Sequence, residues 1–310
     1  MKNKVLLIAP SYFNYHEIIS AAFHSNGYDV QLVIDEIFIS PLTILLKKQL
    51  NRKKVSYQKT LLKKLNGGEF DYLVVIGGRS LDKMFLESLN NKEKLIKILY
   101  QWDSISNFDY RYLIPYFDQV KTFDSKDAFE LNLQYLPLFF KMTTSKYVSE
   151  DIDLLFIGIW HSDRLNILHE IASLAVSQGL KVFFKVYYPW YMYLYLVYIK
   201  KQIMRSEFFT FKKIPIEITN QFYQRAKCII DINHPNQTGL TMRTIETLGN
   251  GKRLITTNHH IKNESFYNEK MILVIDRTNI QIPVEFFLDH NHTLNIDELE
   301  ISNWIKKLLA

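Results

Sequence analysis

The sequence predicts an α/β protein built from two parallel-sheet domains. Three observations carry this reading. Short apolar runs alternate with longer segments of helical period, the alternation restarts near the middle, and a polar stretch without periodicity separates the halves. In the first half, the runs at 5–9, 30–34, 72–76, 98–100 and 120–123 read as strands. A helix at 16–26, ended by Gly27 as its C-cap, joins the first two into a βαβ unit. In the second half, strands are expected at 154–158, 182–186, 228–232, 254–256 and 271–275. Helices are expected at 163–178 (ended by Gly179), 191–204, 218–225 and 242–250. A helix at 296–309 closes the chain. The expected division is therefore 1–140, a linker at 141–150, 151–295, and a closing segment at 296–310.

Composition supports two packed cores. Of 310 residues, 47% are hydrophobic and 14% aromatic, which excludes a disordered chain. The formal net charge is +6, and the excess is local. Between Glu36 and Glu69 there is no acidic residue, while Lys47, Lys48, Arg52, Lys53, Lys54, Lys59, Lys63 and Lys64 fall inside. There Leu42, Leu45, Leu46 and Leu50 share one helix face and Tyr57, Leu61 and Leu65 another. Such a segment suits an anionic lipid surface, to which the aromatic run from Tyr187 to Tyr193 would add anchors. The alternative is core-facing leucines with solvated lysines. The basic run lacks interleaved aromatics and any recognised nucleic-acid motif, so nucleic acid is not an expected partner.

A single cysteine, Cys228, allows neither an intramolecular disulfide nor a cysteine metal cage, and points to a reducing compartment. The N-terminal apolar run is five residues long and stops at Pro10, so it reads as a strand and not as a signal peptide. The uncharged stretch 186–199 is too short to span a bilayer and contains Pro189. The expected location is cytoplasmic, with peripheral contact at the inner face of the plasma membrane.

The segment 228–258 is the most informative. It reads as a strand, a polar loop with Gly239, a helix, a glycine-rich turn and a second strand. Gly239 and Thr241 sit where the helix begins, so backbone N–H groups there can meet an anion such as a diphosphate. Arg243 and Glu246, three apart, share a helix face. A glutamate near the start of such a helix can accept both hydroxyls of a ribose; the alternative is a surface ion pair.

This stretch resembles the donor-binding segment of GT-B glycosyltransferases, within them the CgeB-like and lipopolysaccharide- or capsule-biosynthesis type. Arg243, Glu246 and Gly251 match that type's Arg-x-x-Glu-x-x-x-x-Gly helix, and Tyr223, Ala226 and Lys227 match the segment before its strand. Tyr116-Phe117-Asp118, Thr122-Phe123-Asp124 and Tyr135-Leu136-Pro137-Leu138 extend the resemblance over 98–258. It implies two Rossmann-like domains facing across a cleft, with Glu246 on the nucleotide ribose. Thr238, Gly239, Leu240 and Thr241 would lie at the diphosphate or sugar. Retaining members often carry a second glutamate eight residues earlier; here that position is Thr238, which leaves the stereochemistry open.

In the second half, Gly158, His161, Ser162 and Arg164 follow the first strand, where a glycine permits close approach and the others can meet phosphate oxygens. Arg164 reads equally as a helix-surface charge. Lys185, closing the next strand, is a further diphosphate candidate. In the first half, Ser11, Tyr12 and His16 follow the first strand, Gly77, Gly78 and Arg79 follow the third, and Trp102 and Asp103 follow the fourth. All would line the acceptor side, with Asp103 as the candidate general base or else an N-cap. Asp151 and Asp153 lie ahead of an apolar run, on the wrong side for a metal site, and His259, His260, His290 and His292 read as solvated loop residues.

The expected function is sugar transfer from a nucleotide diphosphate sugar to a glycan or lipid-linked glycan at the cell surface, with no metal and no cofactor beyond the donor. A nucleotide-sugar epimerase and a non-catalytic glycan- or nucleotide-binding protein are the alternatives.

Overall fold

A computed structural model describes residues 2–35, 47–142, 148–198, 206–287 and 292–310, without the side chains of 47–51, 195 and 196. Leu42, Leu45 and Leu46, the Leu50 side chain, residues 143–147 of the expected linker, residues 199–204 of an expected helix, and His290 lie outside the described residues. The chain divides into two compact units, Met1–Leu138 with Glu298–Ala310, and Phe139–Asp297.

The first unit holds the strands β1 (Lys4–Ala9), β2 (Asp29–Ile34), β3 (Tyr72–Ile76), β4 (Ile96–Gln101), β5 (Gln119–Thr122) and β6 (Gln134–Tyr135). They form one sheet in the order β2-β1-β3-β4-β5-β6, every pair parallel. Helices α1 (Tyr15–Ser25), α2 (Lys47–Gly67), α3 (Lys83–Leu89) and α4 (Ser125–Leu131) connect the strands. Val5, Leu6, Leu7, Ile8 and Ala9 are all fully buried, which is why β1 is apolar throughout: a parallel strand covered on both faces has no solvent side.

Helix α2 settles one expectation. Leu61 and Leu65 are buried in the same core as Val33, Phe85 and Leu89, while Lys53, Lys54, Lys59 and Lys63 are exposed. The face carrying Tyr57, Leu61 and Leu65 is thus turned to the core, as the alternative reading had it, and is not available to a lipid surface. The closing helix α9 (Ile301–Leu309) starts five residues later than expected, because the Glu300 carboxylate caps it by accepting from the Ser302 N–H at 2.8 Å. Trp304 of α9 is fully buried, packs edge-on against Tyr100 at 4.9 Å and donates its Nε1–H to the Pro137 carbonyl at 2.9 Å.

The second unit repeats the plan with β7 (Ile152–Ile159), β8 (Val182–Tyr187), β9 (Phe209–Thr210), β10 (Ala226–Asp231), β11 (Arg253–Thr256) and β12 (Ile272–Val274). The sheet order is β9-β8-β7-β10-β11-β12, again parallel throughout. Its helices are α5 (Arg164–Ser177), α6 (Trp190–Tyr198), α7 (Ile216–Arg225) and α8 (Met242–Gly249). One face of the sheet packs Phe156, Phe184, Cys228 and Ile230 on Leu165, Leu168, Ile171 and Ala175 of α5. The other packs Leu155, Ile229 and Phe183 on Phe222 and Tyr223 of α7.

Asp151 and Asp153 sit at the amino end of β7, where Arg225 holds Asp151 through two hydrogen bonds of 2.7 and 2.5 Å. Lys227 pairs with Asp153 at 2.8 Å. These carboxylates tie α7 and β10 to β7. Among the described residues no helix is long and apolar enough to cross a membrane.

Candidate functional site

In the second unit the strand order reverses at β7, since β8 and β9 build outward on one side and β10 to β12 on the other. At such a switch point the loops after the two central strands leave toward opposite faces, and ligands of doubly wound sheets bind at the carboxyl ends there. Here that edge is crossed by two arginines. Arg243, two residues into α8, donates from Nη2 to the Ile157 carbonyl of β7 at 2.6 Å and from Nε to the Tyr223 hydroxyl at 2.8 Å. Its Nη1 pairs with the Asp231 carboxylate at the end of β10 at 3.4 Å. Arg164 donates from Nη1 to the Ile159 carbonyl at 2.5 Å and from Nη2 to the Ile232 carbonyl. Both guanidinium groups lie against the Phe156 ring, at 5.2 Å for Arg164 and 5.1 Å for Arg243.

Asp231 is the hub. It is buried, and besides Arg243 it accepts from the Thr241 hydroxyl at 2.6 Å and the Thr244 hydroxyl at 2.8 Å. The Thr241 hydroxyl oxygen in turn accepts from the Thr244 N–H at 3.2 Å, which makes Thr241 the N-cap of α8. A single carboxylate therefore fixes the position and direction of the α8 N-terminus relative to β10.

A third arginine, which sequence reasoning passed over, completes the edge. Arg277 follows β12 and binds Asp163 from Nη1 at 2.7 and 3.0 Å. Its Nη2 donates to the Asn233 carbonyl at 2.5 Å and to the Thr257 hydroxyl at 3.0 Å. It joins the loops after β7, β10 and β11. Asn258 holds the loop before α8 from beneath, donating to the carbonyls of Thr238 at 3.0 Å and Gly239 at 3.2 Å.

Three guanidinium groups, Arg164, Arg243 and Arg277, share this edge with three carboxylates, Asp163, Asp231 and Glu246. Burial and the nearby Arg243 push the Arg164 guanidinium down to about 9, with Asp231 and Asp163 offsetting part of this. Burial works against the Arg243 charge too, but Tyr223, Asp231 and Glu246 outweigh it and hold Arg243 above its usual range. His161, whose Nδ1 lies 2.8 Å from the Ser162 hydroxyl and whose ring is 5.7 Å from that of His234, is lowered to about 4 by burial, then by Arg164, His234 and Arg277. Ser162 has φ +44°, an uncommon backbone state for a residue with a side chain.

Of the residues expected on the donor side, Gly158, His161, Ser162, Arg164, Thr238, Gly239, Leu240, Thr241 and Arg243 all belong to this edge. Glu246 stands one turn into α8, partly buried and near enough to Tyr223 and Arg243 to bear on the charge of both. Three expectations need revision. Arg164 is buried, so it is no helix-surface charge, and its terminal nitrogens serve the carbonyls of Ile159 at the end of β7 and Ile232 just after β10. The space beside Gly158 is filled by the chain itself: a Cβ there would lie 2.8 Å from the Phe156 ring and 3.3 Å from Arg243 Nη2. Lys185 does not close β8, which runs on to Tyr187, and its ammonium lies 5.8 Å from the Phe183 ring.

The carboxyl edge of the first unit gathers the residues expected on the acceptor side. Gly77 and Gly78 follow β3 with φ +78° and +75°, a turn that side-chain-bearing residues resist. The Gln101 amide fastens it by donating to the Gly77 carbonyl at 2.7 Å. Asp103 is paired with Arg79 at 3.0 Å, and that guanidinium lies 4.7 Å from the Phe108 ring. Trp102 sits against the same turn, its Nε1 3.5 Å from where a Cβ on Gly77 would be. Ser11 and Tyr12 precede Phe13 and Asn14, whose φ values of +46° and +60° strain the loop after β1 as Ser162 strains the loop after β7. His16 is buried in the first turn of α1, and its Nδ1 has no hydrogen-bond partner among the described residues. Asp35, unnoticed in the sequence, follows β2 and is buried; it accepts from the Ser80 N–H at 3.3 Å and the Tyr57 hydroxyl at 3.4 Å, and burial raises its pKa.

Two parallel-sheet units of this kind in one chain define the GT-B fold, two Rossmann-like domains in succession. The UDP-GlcNAc 2-epimerase of Methanocaldococcus jannaschii, solved with UDP-GlcNAc and UDP, superimposes on 100% of this chain and 99% of its own, at a TM-score of 0.51 and 10% identity. A glycosyltransferase of kitacinnamycin covers 99% of this chain and 94% of its own, at 0.47 and 8%. The lipopolysaccharide outer core galactosyltransferase WaaB in its apo form covers 82% and 80%, at 0.46 and 10%. Similarity at this level is one of fold. No family model matches the chain, and no curated protein matches it in sequence.

Proposed function

We propose that the chain is a glycosyltransferase that takes a nucleotide diphosphate sugar on its second unit and an acceptor glycan on its first. The observation that carries this is the Asp231 hub, which sets the α8 N-terminus at the switch point beside three guanidinium groups, with Glu246 one turn further along. A helix N-terminus presents unpaired N–H groups and a positive dipole end, so a diphosphate is the anion the site suits. Glu246 is the group to accept the ribose hydroxyls. The fold likeness to a protein holding UDP-GlcNAc and UDP is consistent with that donor class.

In this reading the departing diphosphate gathers negative charge as the glycosidic bond breaks. The α8 N–H groups and the surrounding cations stabilise it there more than in the ground state. Such catalysis calls for no protein-bound metal. On the first unit, the acceptor would meet Ser11, Tyr12, Gly77, Gly78, Arg79 and Trp102. Asp103, one third exposed beside Arg79, is the group to take the acceptor proton, whereas the unpartnered Nδ1 of His16 is enclosed and out of an acceptor's reach. A cell-surface glycan, of lipopolysaccharide, capsule or exopolysaccharide, is the acceptor class that the resemblance of 98–258 suggests.

Incubation with UDP-, GDP-, dTDP- and CMP-sugars, with and without an acceptor library, tests the proposal. Acceptor-dependent release of nucleotide with a glycosylated product supports it. Isomerisation of the donor without acceptor would assign an epimerase instead, and donor binding without turnover a non-catalytic binding protein.

A further inference from the structure

We infer that His161 and His234 form a clamp for a hydroxyl of the transferred sugar, His161 accepting from it and His234 donating to it. The inference rests on the donor reading above and names the part of the donor that the loop after β7 holds. The bonds around the two rings set their roles. Asp163 accepts from Arg277 at 2.7 and 3.0 Å and from the Ser162 hydroxyl at 3.2 Å. A carboxylate only accepts, so the single Ser162 hydroxyl proton points to Asp163. The Ser162 oxygen is then the acceptor toward His161 Nδ1, 2.8 Å away, and Nδ1 carries the ring proton. In a neutral ring that leaves Nε2 as a bare acceptor. Burial, then Arg164, His234 and Arg277, lowers His161 to about 4, with Asp163 pulling the other way, so the ring is neutral at pH 7. Ser162 keeps φ +44°, a costly backbone state retained where the surrounding bonds over-determine it.

His234 is arranged the opposite way. Its Nδ1 accepts from the Asn236 N–H at 3.3 Å, so its proton sits on Nε2, which donates. The ring centroids are 5.7 Å apart, close enough for one oxygen, about 2.8 Å from each nitrogen, to meet both. His234 is exposed, and His161 Nε2 is not enclosed as His16 Nδ1 is. A phosphate oxygen only accepts and finds no partner in a bare Nε2, whereas a hydroxyl both donates and accepts and fits the pair. Placement selects the sugar over the ribose. The loop after β7 leads into α5, whose Leu165 and Leu168 cover one face of the sheet. Glu246 bears on Tyr223 of α7, which covers the other. A donor with its ribose on Glu246 and its diphosphate at the α8 N-terminus carries its sugar away from the ribose, toward the β7 side where the two histidines stand.

Two measurements test the clamp. Long-range proton–nitrogen NMR of the full chain at pH 7 should show His161 in the Nδ1–H form and His234 in the Nε2–H form. The reverse form at either ring, or a His161 that titrates near its ordinary 6.5, overturns the inference. Calorimetry then compares UDP with UDP-glucose and UDP-galactose, GDP with GDP-mannose, and dTDP with dTDP-glucose. For the nucleotide that binds, His161→Phe and His234→Phe should each weaken the nucleotide sugar about fivefold more than the bare diphosphate, the effect of losing one hydrogen bond. A partly misfolded variant would lower both alike. His161→Gln, whose amide oxygen accepts in place of Nε2, should recover most of the loss. Equal weakening of sugar and diphosphate in the Phe variants, or none, overturns the clamp and leaves the donor reading intact. Binding by none of these ligands overturns the donor reading and the clamp with it.

Discussion

Removing the Asp231 carboxylate perturbs the account most informatively. Asp231→Ala takes the acceptor from the Thr241 and Thr244 hydroxyls and the counter-charge from Arg243, whose side chain is 21% exposed. Breaking a buried pair by deleting one partner costs about 3–5 kcal/mol. Arg243 keeps the Tyr223 hydroxyl and the Ile157 carbonyl, so about 3 kcal/mol, near the lower end, is expected. Asp231→Asn keeps an acceptor of similar shape and loses the charge, for about 1–2 kcal/mol. Urea unfolding followed by circular dichroism should show lower midpoints in that order at unchanged slope. Nucleotide affinity should fall in both variants, because the α8 N-terminus is no longer fixed. An Asp231→Ala protein within about 0.5 kcal/mol of wild type would refute the assignment of Asp231 as the hub.

Other outcomes follow from the same geometry. Arg277→Ala should cost about 2–3 kcal/mol, because it frees Asp163 and the Asn233 carbonyl together; a thermal melt checks it. Gly158→Ala forces a Cβ toward the Phe156 ring and Arg243, and should destabilise by about 1–3 kcal/mol in the same melt. The folded chain keeps His161 neutral down to about pH 4, whereas the unfolded chain protonates it near its ordinary value of 6.5, so between the two the unfolded state binds the extra proton. Stability should accordingly fall as pH drops through that window, by about 1–2 kcal/mol for a partly exposed ring, and His161→Gln should flatten the loss measured by urea midpoints at pH 4 and pH 7. Asp103→Asn should lower kcat more than 1/KM in the transfer assay, while His16→Asn should do less.

The sequence made the frame legible wherever residues were buried on both sides. The central residues of β1, β3, β7 and β10 are apolar runs because a doubly covered parallel strand has no polar face there, and both sheets were readable from them. β6 and β9 were not, since two residues each carry no pattern. Within the site, the strand, loop and helix around Asp231 were readable as local order, and Thr241 and Glu246 stood at recognisable positions. Their partners were not, because the bonds from Arg243 to Ile157 and from Arg277 to Asp163 join residues 86 and 114 apart. The alternative of a surface pair with Glu246 fails for Arg243, which the structure turns inward to Asp231. A strand ending in aspartate ahead of Thr-x-x-Thr at a helix start was the available signal for the hub. The face of Tyr57, Leu61 and Leu65 shows the opposite failure: amphipathic spacing alone does not say whether a face meets core or lipid.

The central claim is that a nucleoside diphosphate binds at the α8 N-terminus with Glu246 on its ribose. Isothermal titration of the full chain with UDP, GDP and dTDP tests this most directly, for wild type and Glu246→Ala. The account predicts that one of the three binds to wild type, and that Glu246→Ala weakens it by at least about tenfold, the cost of losing a charged hydrogen-bond partner, at unchanged melting temperature. Absence of binding to all three, or equal affinity in the two proteins, would contradict it.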